Sequence, residues 1–312
     1  KHIETEYNNG KENGKTREWF ESGALSLKGH YMDGAKHKHW IWYHESGKKD
    51  FEGSFIKNKR TDKWQFYYLE SDQIEFEGFF SEDKRDSIWT YWYKNGTKWR
   101  EGPYDLGKRN GQWNYWSEKG TLVMQGSFLE GKENGKWFSW FDDGAKKDEG
   151  TFKEGQMHGS WNGWFEDGKQ DYTGTYNLGL KEGEWKHWYT DGKEELIETY
   201  VLDDSRKLPR SMLNGERKSW YENGKLKEEG VYKNGQQDGL WKFYFETGNI
   251  LRESSFKEGK LNGKSKEYYQ HGTLKSEQSY SNGRADGKWI VYGKRQGEIL
   301  KTMEFKDGRA IK

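Results

Sequence analysis

Three neighbouring histidines are the residues whose type and spacing best suit a metal ion. His37, His39 and His44 form this cluster. If the segment is a β-strand, His37 and His39 share one face, because side chains alternate along a strand. Polar residues on an exposed hairpin explain the same cluster without a metal, and the isolated pattern favours that interpretation. We therefore expect no metal site.

Other residue types that carry chemistry occur without the spacing that their chemistry needs. The acidic pairs Asp142-Asp143 and Asp203-Asp204 lack the spaced oxygen ligands and closing Glu of a calcium loop. The Gly-rich turns lack the G-x-x-x-x-G-K-[ST] pattern that holds phosphate before a helix. Carboxylates recur at regular intervals, and no unique Ser/His/Asp or Glu/Glu set stands apart from them. These observations predict no catalytic residues, no cofactor and no enzymatic activity.

The composition describes a folded chain whose apolar material is mostly aromatic. Only 31% of the 312 residues are hydrophobic and 34% are charged, yet 17% are aromatic. Each buried ring removes roughly 150–250 Å² from water, so a few rings per segment can stabilise a fold. The net charge of +1 predicts no nucleic-acid partner and argues against an anionic membrane. The absence of cysteine excludes disulfides and thiolate metal sites.

The elements that must position these residues form an internal repeat. Its members are 24 or 25 residues apart, except for one step of 32 between Tyr200 and Tyr232. Each member begins with an aromatic residue: Tyr7, Tyr31, Phe55, Phe80, Tyr104, Phe128, Phe152, Tyr176, Tyr200, Tyr232, Phe256, Tyr280 and Phe305. A fixed period in this range predicts one continuous repeat domain over residues 1–312.

Local chemistry predicts that each repeat is a β-hairpin. Trp241, Phe243 and Phe245 alternate with Lys242 and Tyr244, which is the period of two expected for a strand. Asn223-Gly224 and Asn95-Gly96 are dipeptides that close two-residue turns. The other connection, from Asn234-Gly235 to Asp238-Gly239, is predicted to be longer and bounded by glycine. Gly230 is expected to leave room for an aromatic ring from a neighbouring strand.

Five residues replace glycine in turns of the third and fourth repeats, and one proline interrupts a strand. Asn58, Asp62 and Ser71 stand at such positions in the third repeat, and Asp83 and Ser87 in the fourth, where we expect a left-handed backbone. Pro103 lies just before Tyr104 and is expected to produce a bulge.

The motif E-G-x-[YF]-x-x-G-x-x-x-G-x-W-x-x-[YW]-[YF]-x-x-G resembles the MORN-repeat family. The segments Glu149–Gly155 and Gly159–Trp161 carry the match well, as do Gly230–Gly235 and Gly239–Trp241. The similarity is greatest to a bacterial variant described as antitoxin-like repeat proteins. It implies an all-β fold: an elongated, single-layer antiparallel meander of about a dozen 24-residue hairpins, twisted or coiled into a rod.

The resemblance implies a non-enzymatic scaffold for protein–protein interaction or assembly, with a protein partner, a larger complex or a homo-oligomer. One alternative is a carbohydrate- or cell-envelope-binding rod, because some cell-wall repeats also use Trp/Tyr/Gly hairpins; a glycan partner therefore stays open. A second alternative is a phospholipid-binding module, since membrane-lipid binding has been proposed for some family members. The chain begins at Lys1 without Met, which is compatible with an exported bacterial protein or a cytoplasmic one.

The long step predicts an insertion loop at residues 201–213. Binding residues concentrate in loops held by a rigid scaffold. The favoured interpretation is a tolerated insertion that folds back over the sheet edge, because long surface loops cost little. The alternative is a partner-docking element formed by Arg206, Lys207, Leu208, Arg210, Met212 and Leu213.

Overall fold

A computed structural model of the chain describes residues 2–69, 71–295 and 297–311; Lys1, Glu70, Gln296 and Lys312 lie outside them. Across these described ranges, the regular secondary structure consists of 28 strands, β1 to β28, assigned to one antiparallel sheet. None of the segments described is a helix of the length and apolarity needed to span a membrane. The chain divides into two compact units, Lys1–Gln156 and Met157–Lys312.

The strands follow one another with short connections in both units. The first unit contains β1 (His2–Asn8), β2 (Lys11–Trp19), β3 (Leu25–Met32), β4 (Ala35–Tyr43), β5 (Lys49–Ile56), β6 (Lys59–Tyr67), β7 (Ile74–Ser81), β8 (Lys84–Trp92), β9 (Lys98–Asp105), β10 (Lys108–Arg109), β11 (Gly111–Trp116), β12 (Leu122–Leu129), β13 (Lys132–Trp140) and β14 (Lys146–Lys153). The second unit contains β15 (Gln156–Trp164), which begins at the boundary, β16 (Gln170–Asn177), β17 (Leu180–Trp188), β18 (Glu194–Asp203), β19 (Arg210–Trp220), β20 (Leu226–Lys233), β21 (Gln236–Tyr244), β22 (Ile250–Lys257), β23 (Lys260–Tyr268), β24 (Leu274–Ser281), β25 (Arg284–Ala285), β26 (Gly287–Tyr292), β27 (Ile299–Lys306) and β28 (Arg309–Ala310).

Strand pairing within each unit is that of a meander. In the first unit β12 pairs antiparallel with β11 and β13, and in the second unit β20 pairs in the same way with β19 and β21. Two successive strands therefore make one hairpin and one repeat. This confirms the predicted all-β antiparallel meander of hairpin repeats.

The two kinds of turn are the reverse of those predicted. Asn223-Gly224 is not a two-residue turn, because only Gly224 has a positive φ, of 79°. The N–H of Lys225 donates to Asn223 Oδ1 at 2.9 Å, and the N–H of Gly224 donates to the Tyr221 carbonyl at 2.8 Å. The connection is thus a three-residue turn that ends in one left-handed glycine. The two-residue turn is instead Asn234-Gly235, where φ is 51° and 76° and Lys233 pairs with Gln236.

Left-handed residues at the two-residue turns and at a backbone irregularity within the hairpins explain the remaining substitutions. Asn58, Asp62, Asp83 and Ser87 all have positive φ, between 57° and 69°, which confirms that they replace glycine at left-handed positions. Near Pro103 the pairing of β9 skips from Glu101 to Tyr104, so the predicted bulge is present. Other hairpins skip at the same place, as β12 does between Gly126 and Phe128. The proline therefore occupies a position where the ladder is already interrupted.

A tryptophan ring lies flat on a glycine of the preceding strand in each of the hairpins named below. A Cβ added to any of these glycines would lie 2.0–2.3 Å from the indole, far inside van der Waals contact. The ring nitrogen donates to the carbonyl oxygen of the residue after the glycine at 3.0–3.2 Å. The pairs are Gly29–Trp40, Gly53–Trp64, Gly78–Trp89, Gly102–Trp113, Gly126–Trp137, Gly174–Trp185 and Gly230–Trp241. The expectation that Gly230 leaves room for a ring is confirmed.

Where the tryptophan is missing, its glycine is missing too. Thr5 and Thr16 occupy the two positions in the first hairpin, with hydroxyl oxygens 2.7 Å apart. Ser254 and Ser265 do the same near the other end, also at 2.7 Å. In the hairpin with the insertion the positions hold the buried Glu198 and the half-buried Arg217, whose charged atoms are 3.9 Å apart. A large ring facing a glycine is thus replaced by a matched polar pair.

The insertion lengthens a hairpin, and only part of it is a loop. Val201 pairs with Met212 and Asp203 with Arg210, so β18 and β19 continue past the length of the other strands. The predicted loop 201–213 is corrected accordingly: residues 204–209 alone lie outside strands. Of the eight added residues, two lengthen each strand, to 10 residues in β18 and 11 in β19 against 8 and 9 in β20 and β21, and four lengthen the connection. The physical reason is that backbone groups facing each other across the hairpin extend the hydrogen-bond ladder before the chain turns.

Replacing Trp137 by alanine should destabilise the first unit by about 3–5 kcal/mol, since the 7% exposed ring would leave a cavity over Gly126. Denaturant unfolding followed by circular dichroism measures the loss. Trp140→Ala on the same strand is the control, because that ring is half-buried and should contribute less. Equal unfolding midpoints for Trp137→Ala and the wild type would show that the ring on the glycine does not stabilise the hairpin.

Restoring the ring in the ninth hairpin tests whether the two positions act as a pair. The double change Glu198→Gly with Arg217→Trp should stabilise the second unit by about 1–4 kcal/mol, because it replaces a buried ion pair with packed apolar surface. Arg217→Trp alone should destabilise it, since the Glu198 side chain occupies the space of the ring. Thermal melting of the two single variants and the double variant gives the change in stability of each. If the changes in the single variants added up to the change in the double variant, the two positions would not act as a pair.

Candidate functional site

The extended hairpin places four of the six predicted docking residues at its tip. Arg206 and Arg210 pair with Asp203 Oδ2 at 3.5 and 3.2 Å, and Lys207 is exposed beside them. Donation from the Ser205 hydroxyl, followed by the Arg210 guanidinium, lowers the pKa of Asp203 below its ordinary value. Leu208 is 80% exposed. The tip therefore presents one apolar side chain between basic residues held by a common carboxylate.

The other two predicted residues have a different environment. Met212 and Leu213 lie in β19 and are half-buried. The Leu213 carbonyl accepts from the N–H of Gly235 at 2.8 Å, and Met212 Cγ would be 3.1 Å from a Cβ on that glycine. These two residues thus pack against the following hairpin, and the structure does not bring them together with Leu208.

The histidine cluster is divided among separate carboxylates. His39 Nε2 is 3.1 Å from Glu52 Oε2, and His44 Nε2 is 3.4 Å from Asp50 Oδ1. Among the residues that the structure describes, no group of three or more His, Cys, Asp or Glu side chains is placed to hold a metal ion. These contacts are those of polar side chains on a sheet face.

Tyrosine hydroxyls link the two strands of a hairpin through glutamates. Tyr244 donates to Glu229 at 2.8 Å and Tyr268 donates to Glu253 at 2.9 Å. Burial and the Glu253 carboxylate raise the pKa of Tyr268 to about 12. Each pair joins residues 15 positions apart on the two strands of one hairpin. Their role is to hold these strands together.

A row of cations in the first unit was missed by the sequence analysis. We use the name basic row for Lys36, Arg60, Arg85 and Arg109, which occupy the same position in four successive hairpins. Each pairs across its hairpin with the leading aromatic residue: Tyr31, Phe55, Phe80 and Tyr104, respectively. Each is half-buried. The cation is the fifth residue after the leading aromatic, a signal that aligning the repeats by column would have shown.

Each member of the basic row covers a tryptophan ring and extends to the leading ring of the next repeat. The Arg85 guanidinium carbon is 4.5 Å from the centroid of Trp89 and 5.4 Å from that of Tyr104. Arg60 lies 5.9 Å from Trp64 and 4.1 Å from Phe80. Lys36 and Arg109 make the same pair of contacts. The tryptophans are therefore covered by glycine on one side and by a cation on the other.

Most of the positive charge in this row is not neutralised. Arg60 pairs with Asp83 at 3.1 Å. Within the described part of the chain, Lys36, Arg85 and Arg109 form no ion pair. Arg85 Nη1 donates to the hydroxyls of Tyr91 and Tyr104 at 3.3 and 3.2 Å instead. Burial is the main cause that raises the pKa of Tyr91 to about 12, so this neighbour stays neutral at physiological pH.

Six segments of the chain match the model described as MORN repeat variant: residues 36–57, 85–106, 181–201, 213–234, 237–258 and 261–282. The chain is a MORN-repeat protein. The matches lie in both units, in register with the hairpins. They make the protein a repeat scaffold, and the six-fold match confirms the resemblance drawn from the motif.

The solved structures that match this MORN-repeat chain are remote from it. A crystal structure of TcdB2-TccC3-Cdc42 is 11% identical with a TM-score of 0.19, and covers 94% of this chain and 18% of that one. A porin-like protein from Bacteroides uniformis is 12% identical with a TM-score of 0.17, and covers 92% and 93%. The chain spans less than a fifth of the first of these. None of the curated proteins compared with it matches in sequence.

Lowering the pH should destabilise the second unit of this MORN-repeat protein through His187. Burial, aided by the nearby Lys181 ammonium, lowers the pKa of His187 below 6.5. The unfolded chain then binds the proton more tightly, so this contribution is complete above pH 6.5 and is lost as the pH falls through the lower folded value. Urea unfolding at several pH values should show a shallower loss for His187→Gln than for the wild type.

The exposed His271 supplies the control for this measurement. His271→Gln should keep the acid sensitivity of the wild type. If the stability of His187→Gln falls with pH as steeply as that of the wild type and of His271→Gln, another group causes the acid sensitivity and the assignment to His187 is wrong.

Proposed function

We propose that this MORN-repeat chain is a non-enzymatic scaffold that binds a protein partner through the tip of its extended hairpin. The observation that carries the proposal is the position of Leu208, 80% exposed at the tip of a hairpin that is longer than its neighbours. An apolar side chain exposed among organised charges is typical of a residue buried by a partner.

The rest of the hairpin holds the tip in a defined conformation. The ladder from Tyr200 to Asp203 is hydrogen-bonded to β19, and Asp203 fixes both Arg206 and Arg210. A tip that is partly ordered before binding loses less entropy when it docks. The regular hairpins on both sides supply the rigid support. Leu208 would then be the anchor, and the two arginines would contact polar groups around it.

A glycan-binding function is the second candidate, and one specific observation favours it. Half-buried rings recur in the residue three positions after the covered tryptophan, which places them on the opposite sheet face; Trp92, Trp116 and Trp140 are examples. Lys98 lies 5.1 Å from the centroid of Trp116, so one of these rings is already in contact with a cation. Sugar rings stack on open aromatic faces, and these rings are more accessible than those of the Gly–Trp pairs.

The effect of Leu208→Asp on capture of a partner from host extract tests the primary proposal. The wild type should retain a partner identified by mass spectrometry, and Leu208→Asp should lose it while melting at the same temperature. Leu178→Asp is the matched control, because Leu178 is also an exposed turn leucine, at 46%. It should retain the partner.

A second variant removes the tip altogether. Replacing residues 202–211 with Asn-Gly restores the 24-residue step and a two-residue turn. Undiminished capture by both this variant and Leu208→Asp would refute docking at the tip. Saturable binding of both to a glycan array would then support the second candidate.

A further inference from the structure

We infer that the basic row is a separate binding surface, and that its ligand is an extended acidic segment of a protein lying across the strands. Lys36, Arg60, Arg85 and Arg109 form this row on the aromatic face of the first unit. The surface is distinct from the hairpin tip, which belongs to the second unit, and it does not depend on the function proposed there.

The fold itself does not require a cation at these positions. In the second unit the same column holds Gln237, Leu261 and Ala285, each paired with the leading aromatic of its own hairpin. Those hairpins form with the same register as the ones that carry arginine. The column is therefore free to vary, yet four successive members in the first unit are basic in a chain of net charge +1. Stability alone does not explain this concentration of charge.

The chemistry of the row favours carboxylates. Arg85 and Arg109 each have donors beyond those used by tyrosine hydroxyls, and the guanidinium fork binds a carboxylate through two hydrogen bonds. Their half-buried positions beside aromatic rings reduce solvent screening, which strengthens such a pair. Arg60 already forms one, with Asp83 at 3.1 Å, and shows the kind of contact that a ligand carboxylate would make.

The spacing of the row matches an extended polypeptide. Successive members are two strands apart, which places them about 10 Å from one another at about 4.8 Å per strand. Every third residue of an extended chain is also separated by about 10 Å. An acidic residue at every third position of a segment that crosses the strands would therefore meet each cation in turn.

The same geometry argues against nucleic acid and against a membrane surface. Single-stranded nucleic acid needs open aromatic faces for base stacking. Trp89 and Trp113 are 0% exposed, with glycine beneath and arginine above. Membrane-binding lysines and arginines project into the headgroups. The side chains of the basic row instead lie against rings within the sheet face, where a flat bilayer has less access than a single chain.

The row has definite ends. The equivalent position is Glu12 in the first hairpin and Glu133 in the sixth, opposite Tyr7 and Phe128. A carboxylate at each end would repel an acidic ligand, so the bound segment contacts no more than four cations. In the second unit Lys181 occupies this column, and its Nζ lies 4.2 Å from the centroid of the Trp185 ring. The next hairpin has Leu213 at the equivalent position, so Lys181 has no basic neighbour there.

Binding of a fluorescein-labelled peptide of four Asp-Gly-Ser units, measured by anisotropy at low salt, tests the inference on the full chain. The wild type should bind it, and the double variant Arg85→Gln with Arg109→Gln should bind about tenfold more weakly. Lys181→Gln is the matched control. It removes the same cation–ring contact, so it should cost similar stability, but it should leave peptide affinity unchanged.

A gain of affinity separates the inference from loss of folding. Glu133→Arg extends the row by one member and should tighten binding of a peptide of five such units by several-fold. Equal affinity for peptides with Asn in place of Asp, or no effect of Glu133→Arg and the double variant, would overturn the inference. Tighter, row-dependent binding to phosphatidylserine vesicles or to a single-stranded oligonucleotide would overturn it in favour of those ligands.

Discussion

The fold depends on one contact: a tryptophan ring pressed against a glycine of the neighbouring strand. A sheet face without a second layer leaves its side chains open to water, and so it cannot ordinarily bury a core. Placing the indole flat on a glycine solves this locally, because the backbone covers one face of the ring and neighbouring side chains, such as Arg109 beside Trp113, cover the rest. The result is Trp113 at 0% exposure in a chain that is 34% charged. Hydrogen bonding of the ring nitrogen to the carbonyl beyond the glycine fixes the orientation at 3.1 Å. It also satisfies the one polar group of the indole.

The exceptions show that the contact is a property of two positions together. Thr5 and Thr16, or Ser254 and Ser265, fill the same space with two small side chains that hydrogen-bond to each other. Both solutions satisfy the volume and the polarity of the site. The two columns change together in these hairpins and in the hairpin with the insertion, which has Glu198 and Arg217. The twelfth hairpin is an exception, because Trp289 faces Gln278 there: its ring nitrogen still donates to the Ser279 carbonyl at 3.0 Å, but the ring is only half-buried.

The sequence predicted the hairpins because the period and the alternation of side chains are local properties. It also predicted the space over Gly230, since the glycine and the lead aromatic share a face. The turns were assigned in reverse because Asn-Gly suits both connections: Asn223 caps its turn through its side chain, whereas Asn234 adopts the left-handed backbone itself. The extra residues were assigned wholly to a loop because spacing reveals an insertion without showing how it divides between strands. The basic row was missed for a different reason. Its members are 24 or 25 residues apart in sequence, so they stand out only when the repeats are aligned by column, and the pairing of each with a leading ring places them in one row.

Repeat architecture separates the residues that make the fold from those that are free to specialise. The glycine and tryptophan columns are coupled by volume, so neither can change alone without loss of packing. The column of the basic row contacts the same rings from the outside, where Gln237, Leu261 and Ala285 are tolerated as readily as arginine. A mutation in this column alters surface charge while it leaves the ring on its glycine. Such a column can accumulate one charge per hairpin without destabilising any of them. Cations at the same position in successive hairpins then form a periodic binding surface.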